Sequence, residues 1–224
     1  MKFEKCNLYQ FLNRGVVSLI VHKRNPFTIY NIKPESIRFV TPASGYTDLN
    51  QHDADRSHPH AFYDRGYFEQ KKRIGSVLGG DWDKPDLKFN DLIEFNAIKD
   101  HLAGDVAWNK SRFAVRVTEY IDAGGTAWGY DNSNEFLKGR EREILRMIDK
   151  FQTDGIKPSK ILGFDQIDVN VARNGELLFN NHGHHRLSIA KLIGLETIPV
   201  VVTVWHDMWV KQHGFDLRSD YKST

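Results

Sequence analysis

The run Asn180-Asn181-His182-Gly183-His184-His185-Arg186 is the densest set of anion-handling groups in this 224-residue chain. It is followed by LSIAKLIGL, whose spacing predicts a short helix over 184–193 ending at Gly194. Gly183 would let the backbone come close to a ligand. The N–H groups of His184 to Leu187 would open the helix, where they have no intrahelical acceptor and add to the positive end of its dipole. Arg186 offers a planar fork for phosphate oxygens, and either imidazole, ordinarily titrating near neutrality, could add charge or pass a proton. That set reads as a phosphate site. The competing reading makes Asn180 and Asn181 plain helix caps and leaves the histidines in water.

Other groups could do chemistry as well. His52, Asp53, Asp55, His58 and His60 are imidazoles and carboxylates at the short spacing that suits a divalent metal, although a polar loop gathers such residues freely. Gly80-Asp81-Trp82-Asp83 pairs two carboxylates beside a glycine turn. Asp81 and Asp83 could hold Mg²⁺ on a nucleotide or take a proton from a hydroxyl; alternatively the turn caps a helix and Trp82 is a packing anchor. Glu35 is a comparable carboxylate. Trp205, His206, Trp209, Lys211, His213 and Arg218 interleave rings with bases as a nucleic-acid surface does, yet tryptophans four apart more often close a core. Lys71-Lys72-Arg73 is a small positive patch of the kind a solvated surface carries.

The elements that must position these groups follow from periodicity. FTIYNI (27–32) alternates like a strand, and Ile37 to Val40 forms a second extended piece. Residues 8–12 suggest a short helix, and 41–73 a long polar loop. Helices are expected over 88–103, 111–121 and 133–152, the last with a stripe of Leu137, Ile144, Ile148 and Phe151, a cap at Asn132 or Ser133 and Gly155 beyond its end. Ile167, Val169 and Val171 alternate with Asp168, Asn170 and Ala172, the pattern of a half-buried strand, and Asn174-Gly175 is a two-residue hairpin signal returning the chain into 176–180. In the helix over 184–193, Leu187, Ala190 and Ile193 are the residues expected inside. Ile198 to Val204 reads as a continuous buried strand, and His206 to Phe215 as a short helix. The fold class is therefore α/β (α+β). A net charge of +2 gives no global case for a nucleic-acid or membrane binder. The apolar run Val16 to Val21 is too short to span a bilayer, and the single cysteine, Cys6, fits a reducing, cytoplasmic setting.

Residues 141–205 resemble the ParB/sulfiredoxin superfamily, in the helix EREILRMIDKFQTDGI, the hairpin IDVNVARNGELLF and the motif GHHRLSIAKLIGLETIPVVV; IYNIKPESI (29–37) is similar to its opening strand. The matching turn reads G-E-R-R in ParB proteins and G-C-H-R in sulfiredoxins, and stand-alone members, including a free-serine kinase, also end it in His-Arg. Such proteins hold CTP, ATP or ADP there. The resemblance implies that Gly183, His184, His185 and Arg186 contact phosphate, within a ParB/sulfiredoxin-like core over 134–224 that 1–41 joins and that 42–133 covers as a helical insertion or lid. His184 stands where sulfiredoxin has its reactive cysteine, so sulfinic acid reduction is not expected. The paired arginines of chromosome-partitioning ParB are missing and no helix-turn-helix follows 205, so centromere spreading is not expected either. The implied activity is a nucleotide-dependent phosphotransferase, using ATP, ADP or CTP with Mg²⁺ on a hydroxyl acceptor. In it, Glu35, Asp81, Asp83 or His184 would take the acceptor's proton and Asp81 and Asp83 would hold the metal. A DNA-binding protein or nuclease, and a non-catalytic nucleotide-gated switch, are the alternatives.

Overall fold

Ile198–His206 is a run of β-branched residues interrupted by Pro199 and closed by Trp205 and His206, and every one of its residues is buried. Such a stretch can only be a central strand. In the computed structural model, which describes residues 25–41, 75–85, 87–158, 166–180 and 182–221, it is the last of six strands. The others are β1 (Ile29–Ile32), β2 (Ile37–Val40), β3 (Ser76–Leu78), β4 (Ile167–Val171) and β5 (Leu177–Phe179), with Ile198–His206 as β6. The order is β1-β6-β4-β5-β2, with β3 also paired to β6. β6 is antiparallel to β1 and parallel to β3 and β4; β5 is antiparallel to β4 and parallel to β2. β3 was not foreseen, because three residues carry too little pattern to be recognised.

β4 differs from its expectation. All five of its residues are buried, not alternate ones. One face carries the sheet's main core, and on the other Trp82, Leu78 and Phe39 pack with Ala172, Leu178 and Val204. Asn170 makes this burial tolerable. The β4–β6 register slips so that Val169 faces Val202 and Asn170 faces Val204. Asn170 Oδ1 accepts the Val204 N–H at 3.1 Å where the ladder is broken, and its Nδ2 donates to Thr41 Oγ1 at 2.8 Å.

The β4–β5 hairpin also departs from a two-residue turn. Gly175 N–H bonds Ala172 C=O, Ala172 N–H bonds Glu176 C=O, and only Gly175 has positive φ, at 80°. This is a type I turn with a glycine bulge, the three-residue form. A Cβ on Gly175 would enter the Trp209 ring, and so the ring sets the turn as much as Asn-Gly does.

Five helices complete the described residues: α1 (Ile93–Ala103), α2 (Arg112–Asp122), α3 (Ser133–Asp154), α4 (His184–Leu192) and α5 (Asp207–His213). The protein is thus mixed α/β. α1 begins later than its periodicity suggested, because Lys88 bridges Phe39 and residues 89–91 form one 3₁₀ turn that drives Phe89 against Phe95 and Phe179. α3 is capped by Asn132, whose Oδ1 accepts from Asn134 and Glu135, and it ends at Gly155. Its buried stripe is Phe136, Ile144, Ile148 and Phe151, with Leu137 only partly covered.

α4 lies between two cores. Leu187 and Ala190 pack with the sheet, Ile189 with α1, α2 and α3, and Ile193 is only half-buried. No helix of the described residues is long and apolar enough to cross a membrane. The helix expected at 8–12 and nearly all of the loop expected at 41–73 lie outside the described residues. Asn170→Ala is expected to lower stability by about 2 kcal/mol, since it strands a buried amide and a buried hydroxyl; an unchanged urea midpoint would show that water replaces it.

Candidate functional site

The main chain of β4 and β5 carries the turn before α4. Asn180 N–H bonds Asp168 C=O at 2.8 Å and Asp168 N–H bonds His182 C=O at 3.1 Å, extending the ladder beyond Phe179. Gly183 is then the N-cap of α4 at φ 89°, and no side chain among the described residues caps the helix. Asn180 is therefore not its cap. A Cβ on Gly183 would lie 2.9 Å from Ile167 Cγ1 and 3.0 Å from Ile167 Cα, so sterics as well as φ require glycine. Gln166 C=O fixes two of the polar side chains: His182 Nδ1 donates to it at 2.6 Å and Arg186 Nη2 at 3.3 Å.

His184 and His185 are buried, not solvated, and they do not titrate near neutrality. Their ring centroids are 4.0 Å apart. Phe113 of α2 meets His185, and Trp128 meets both rings. Burial, and then the Arg140 charge, pushes His184 down to about 3 and holds His185 well below the usual imidazole value. Both are neutral at physiological pH. Arg140 Nη2 donates to His185 Nδ1 at 2.8 Å. A guanidinium cannot accept, so Nδ1 keeps its lone pair and His185 carries its proton on Nε2.

Arg140 and Trp128 are the residues that reading the sequence missed. Arg140 sits on α3 four residues from both Phe136 and Ile144, inside the buried stripe, and only 12% of its side chain is exposed. A lone arginine at core spacing was the available signal. Its Nη1 donates to Glu143 Oε2 at 2.5 Å, and Glu143 Oε1 accepts from Tyr130 Oη at 3.2 Å. Its Cζ lies 5.1 Å from the Trp128 ring. Trp128 is the one non-glycine residue at positive φ among the described residues, at 50°. With Gly129 at 84° it forms a tight turn between Ala127 and Tyr130, held by two main-chain hydrogen bonds. A bulky residue there is strained, and its contacts with Phe113, Phe136, Arg140 and the imidazoles keep it in place.

The structure does not bring the expected carboxylates to this turn. Asp83, 1% exposed at its side chain, receives Arg173 N–H at 2.7 Å, Nε at 3.0 Å and Nη2 at 2.6 Å. Burial pushes Asp83 up, but the Arg173 hydrogen bonds outweigh it and hold the carboxyl below the usual range. Asp81 bonds Arg173 and Lys84, which lower it. His206 Nε2 donates to Gly80 C=O at 2.9 Å, and its ring stacks on Trp82, so Trp82 is a packing anchor. The turn caps no helix among the described residues, and Asp83 holds Arg173 instead. This knot lies beyond the C-terminal end of β4, about 20 Å along the strand from Ile167. Glu35 is 71% exposed and pairs at 3.6 Å with Lys191, in the last turn of α4.

Trp205 and Trp209 are core residues, with Trp209 stacked on His213. A groove of about 910 Å³ beside Trp209 is lined in part by Arg173 and Arg218, each already paired with aspartate. Lys211 pairs with Asp207. The His52–His60 cluster and Lys71 to Arg73 lie outside the described residues, and among the described residues no three His, Cys, Asp or Glu side chains converge as a metal site. No protein-family model, curated protein or solved structure matches this chain.

Two consequences can be measured. Gly183→Ala is expected to cost about 2 kcal/mol or more in unfolding free energy, because it adds a clash to an unfavourable φ; parental stability would mean that the turn can relax. The pH dependence combines opposing groups, since burial raises Glu94 on α1 to about 8. Glu94 stabilises below its unfolded value of 4.5, and this is lost as pH rises towards 8. The two imidazoles stabilise above their unfolded value of 6.5, and this is lost as pH falls below it. Urea stability is expected to peak near pH 6.5, to lose its alkaline limb in Glu94→Gln, and to lose part of its acid limb in His184→Gln. A monotonic profile would contradict both assignments.

Proposed function

We propose that this chain binds a nucleoside phosphate at the turn before α4 and transfers phosphate from it to a hydroxyl acceptor. The observation that carries the binding is a pair of buried amide donors without acceptors among the described residues, beside the positive end of α4. His184, His185 and Arg186 occupy its first turn, which has no acidic residue and no capping side chain among the described residues. Beside it the amide nitrogens of Asn180 and Gln166, residues 3% and 2% exposed, have no acceptor among the described residues. An oxygen-rich dianion supplies the missing acceptors and suits the helix dipole. The resemblance of residues 141–205 to ParB/sulfiredoxin proteins supports a nucleotide as that anion.

In the transfer, Arg186 and the main-chain N–H groups neutralise the phosphoryl oxygens. The bond from phosphorus to the nucleotide oxygen breaks as the acceptor oxygen bonds to phosphorus, and the acceptor's proton goes to a neutral imidazole. His184 is the candidate base; the incoming negative charge raises its proton affinity above that of the ligand-free site. Asp81 and Asp83 do not fit Mg²⁺ for this nucleotide, because both are spent on Arg173 at the other end of β4. A second reading, a nucleotide-gated switch, is favoured by that same separation: none of Glu35, Asp81 and Asp83 reaches the turn.

Titration calorimetry with ATP, ADP and CTP tests binding. Arg186→Ala is expected to weaken the tightest nucleotide by about 10- to 100-fold, the worth of a charge-assisted pair, with little change in ligand-free melting. Equal affinity in variant and parent would remove Arg186 from the site. Chromatography of the nucleotide after incubation separates the two readings, since a switch consumes none.

A further inference from the structure

Arg140 is out of place electrostatically. It is carried by α3, yet its guanidinium lies against the first turn of α4, where the helix dipole repels cations and Arg186 already stands. Burying it costs desolvation free energy. The contacts that offset this are one half-exposed carboxylate, Glu143, the face of Trp128 and a neutral imidazole.

Its hydrogen bonds are also uneven. Nη1 is committed to Glu143. Nε is buried with no acceptor among the described residues, and Nη2 reaches only the His185 ring. Nε and Nη2 together make the side edge of the guanidinium, the edge that grips two oxygens of a phosphate or carboxylate at once. The described contacts thus leave the bidentate edge half unbonded and rest its other half on a weak acceptor.

We propose that Arg140 is the second guanidinium of the anion site, and that its Nε/Nη2 edge takes two oxygens of the ligand's phosphate once His185 turns aside. This rests on the phosphate-site reading above and adds to it a residue outside the turn. Glu143 keeps Nη1 and, steadied by Tyr130, acts as the positioning residue that holds the fork towards α4. The Nε/Nη2 edge supplies two parallel donors, which suits a terminal phosphate with adjacent free oxygens better than a phosphodiester.

The test titrates ATP, ADP and CTP into the parent chain, Arg140→Gln, Arg140→Lys and Arg186→Ala, and follows the arginine Nε–H resonances of the parent by NMR. Arg140→Gln is expected to bind the tightest nucleotide at least tenfold more weakly. Arg140→Lys, which keeps charge and stem but not the fork, is expected to recover only part of that loss. The Arg140 Nε–H signal is expected to move downfield on saturation, a change that a purely structural arginine would not give. The proposal is overturned if Arg140→Gln, or Arg140→Lys should the glutamine variant not fold, binds as the parent does while Arg186→Ala does not; the phosphate site then stands without Arg140. If the parent binds none of the three nucleotides, the phosphate-site reading itself falls and takes this proposal with it.

Discussion

The site depends on one constraint: cationic and imidazole groups are concentrated at the positive end of a buried helix. α4 is enclosed by the sheet on one side and by α1, α2 and α3 on the other, so the two imidazoles of its first turn are shut off from water, while Arg186 is half-buried. The imidazoles respond by staying neutral. Arg186 donates to Gln166 C=O and Arg140 to Glu143. Three backbone irregularities lie nearby. Gly183 is forced against Ile167, Trp128 is held at positive φ, and Tyr130 is pressed against α3 at Gly139, where no side chain would fit.

At the other end of β4 the charges are balanced. Arg173 and Lys84 match Asp81 and Asp83, and Arg173 and His206 satisfy the Gly80 carbonyl. That knot joins residues 80–83 to the hairpin and to the end of β6, where β3 pairs. The contrast is informative because the two ends use similar residue types. Where acidic and basic side chains match, the arrangement is structural. At the α4 end, by contrast, the amide nitrogens of Asn180 and Gln166 and the Nε of Arg140 have no acceptor among the described residues.

Much of the architecture was legible from periodicity. β1, β2, β4, β6 and helices α2, α3 and α4 fall within a few residues of their expected limits, because each has either a long apolar run or a stripe with a cap such as Asn132. The errors came from tertiary competition. α1 starts late because Lys88 is recruited as a bridge to Phe39; the hairpin adopts a bulged turn because Trp209 packs on Gly175; and β4 is buried on both faces because Trp82 and Leu78 cover the side that its polar residues suggested was wet.

For the site, local chemistry determined the turn and no more. Gly183 ahead of two histidines and an arginine announced a helix start with polar and basic side chains, since those properties belong to residues adjacent in the chain. Burial and long-range pairing are not local. Whether the imidazoles are charged depends on Phe113, Trp128 and Arg140, each more than forty residues away in sequence. Whether Asp81 and Asp83 are available depends on Arg173, which lies about ninety residues on. The sequence by itself established an α/β chain with a glycine-led helix terminus. Only the tertiary structure decided which charges share a low-dielectric environment, because electrostatic free energy follows distance in space and exclusion of water rather than position along the chain.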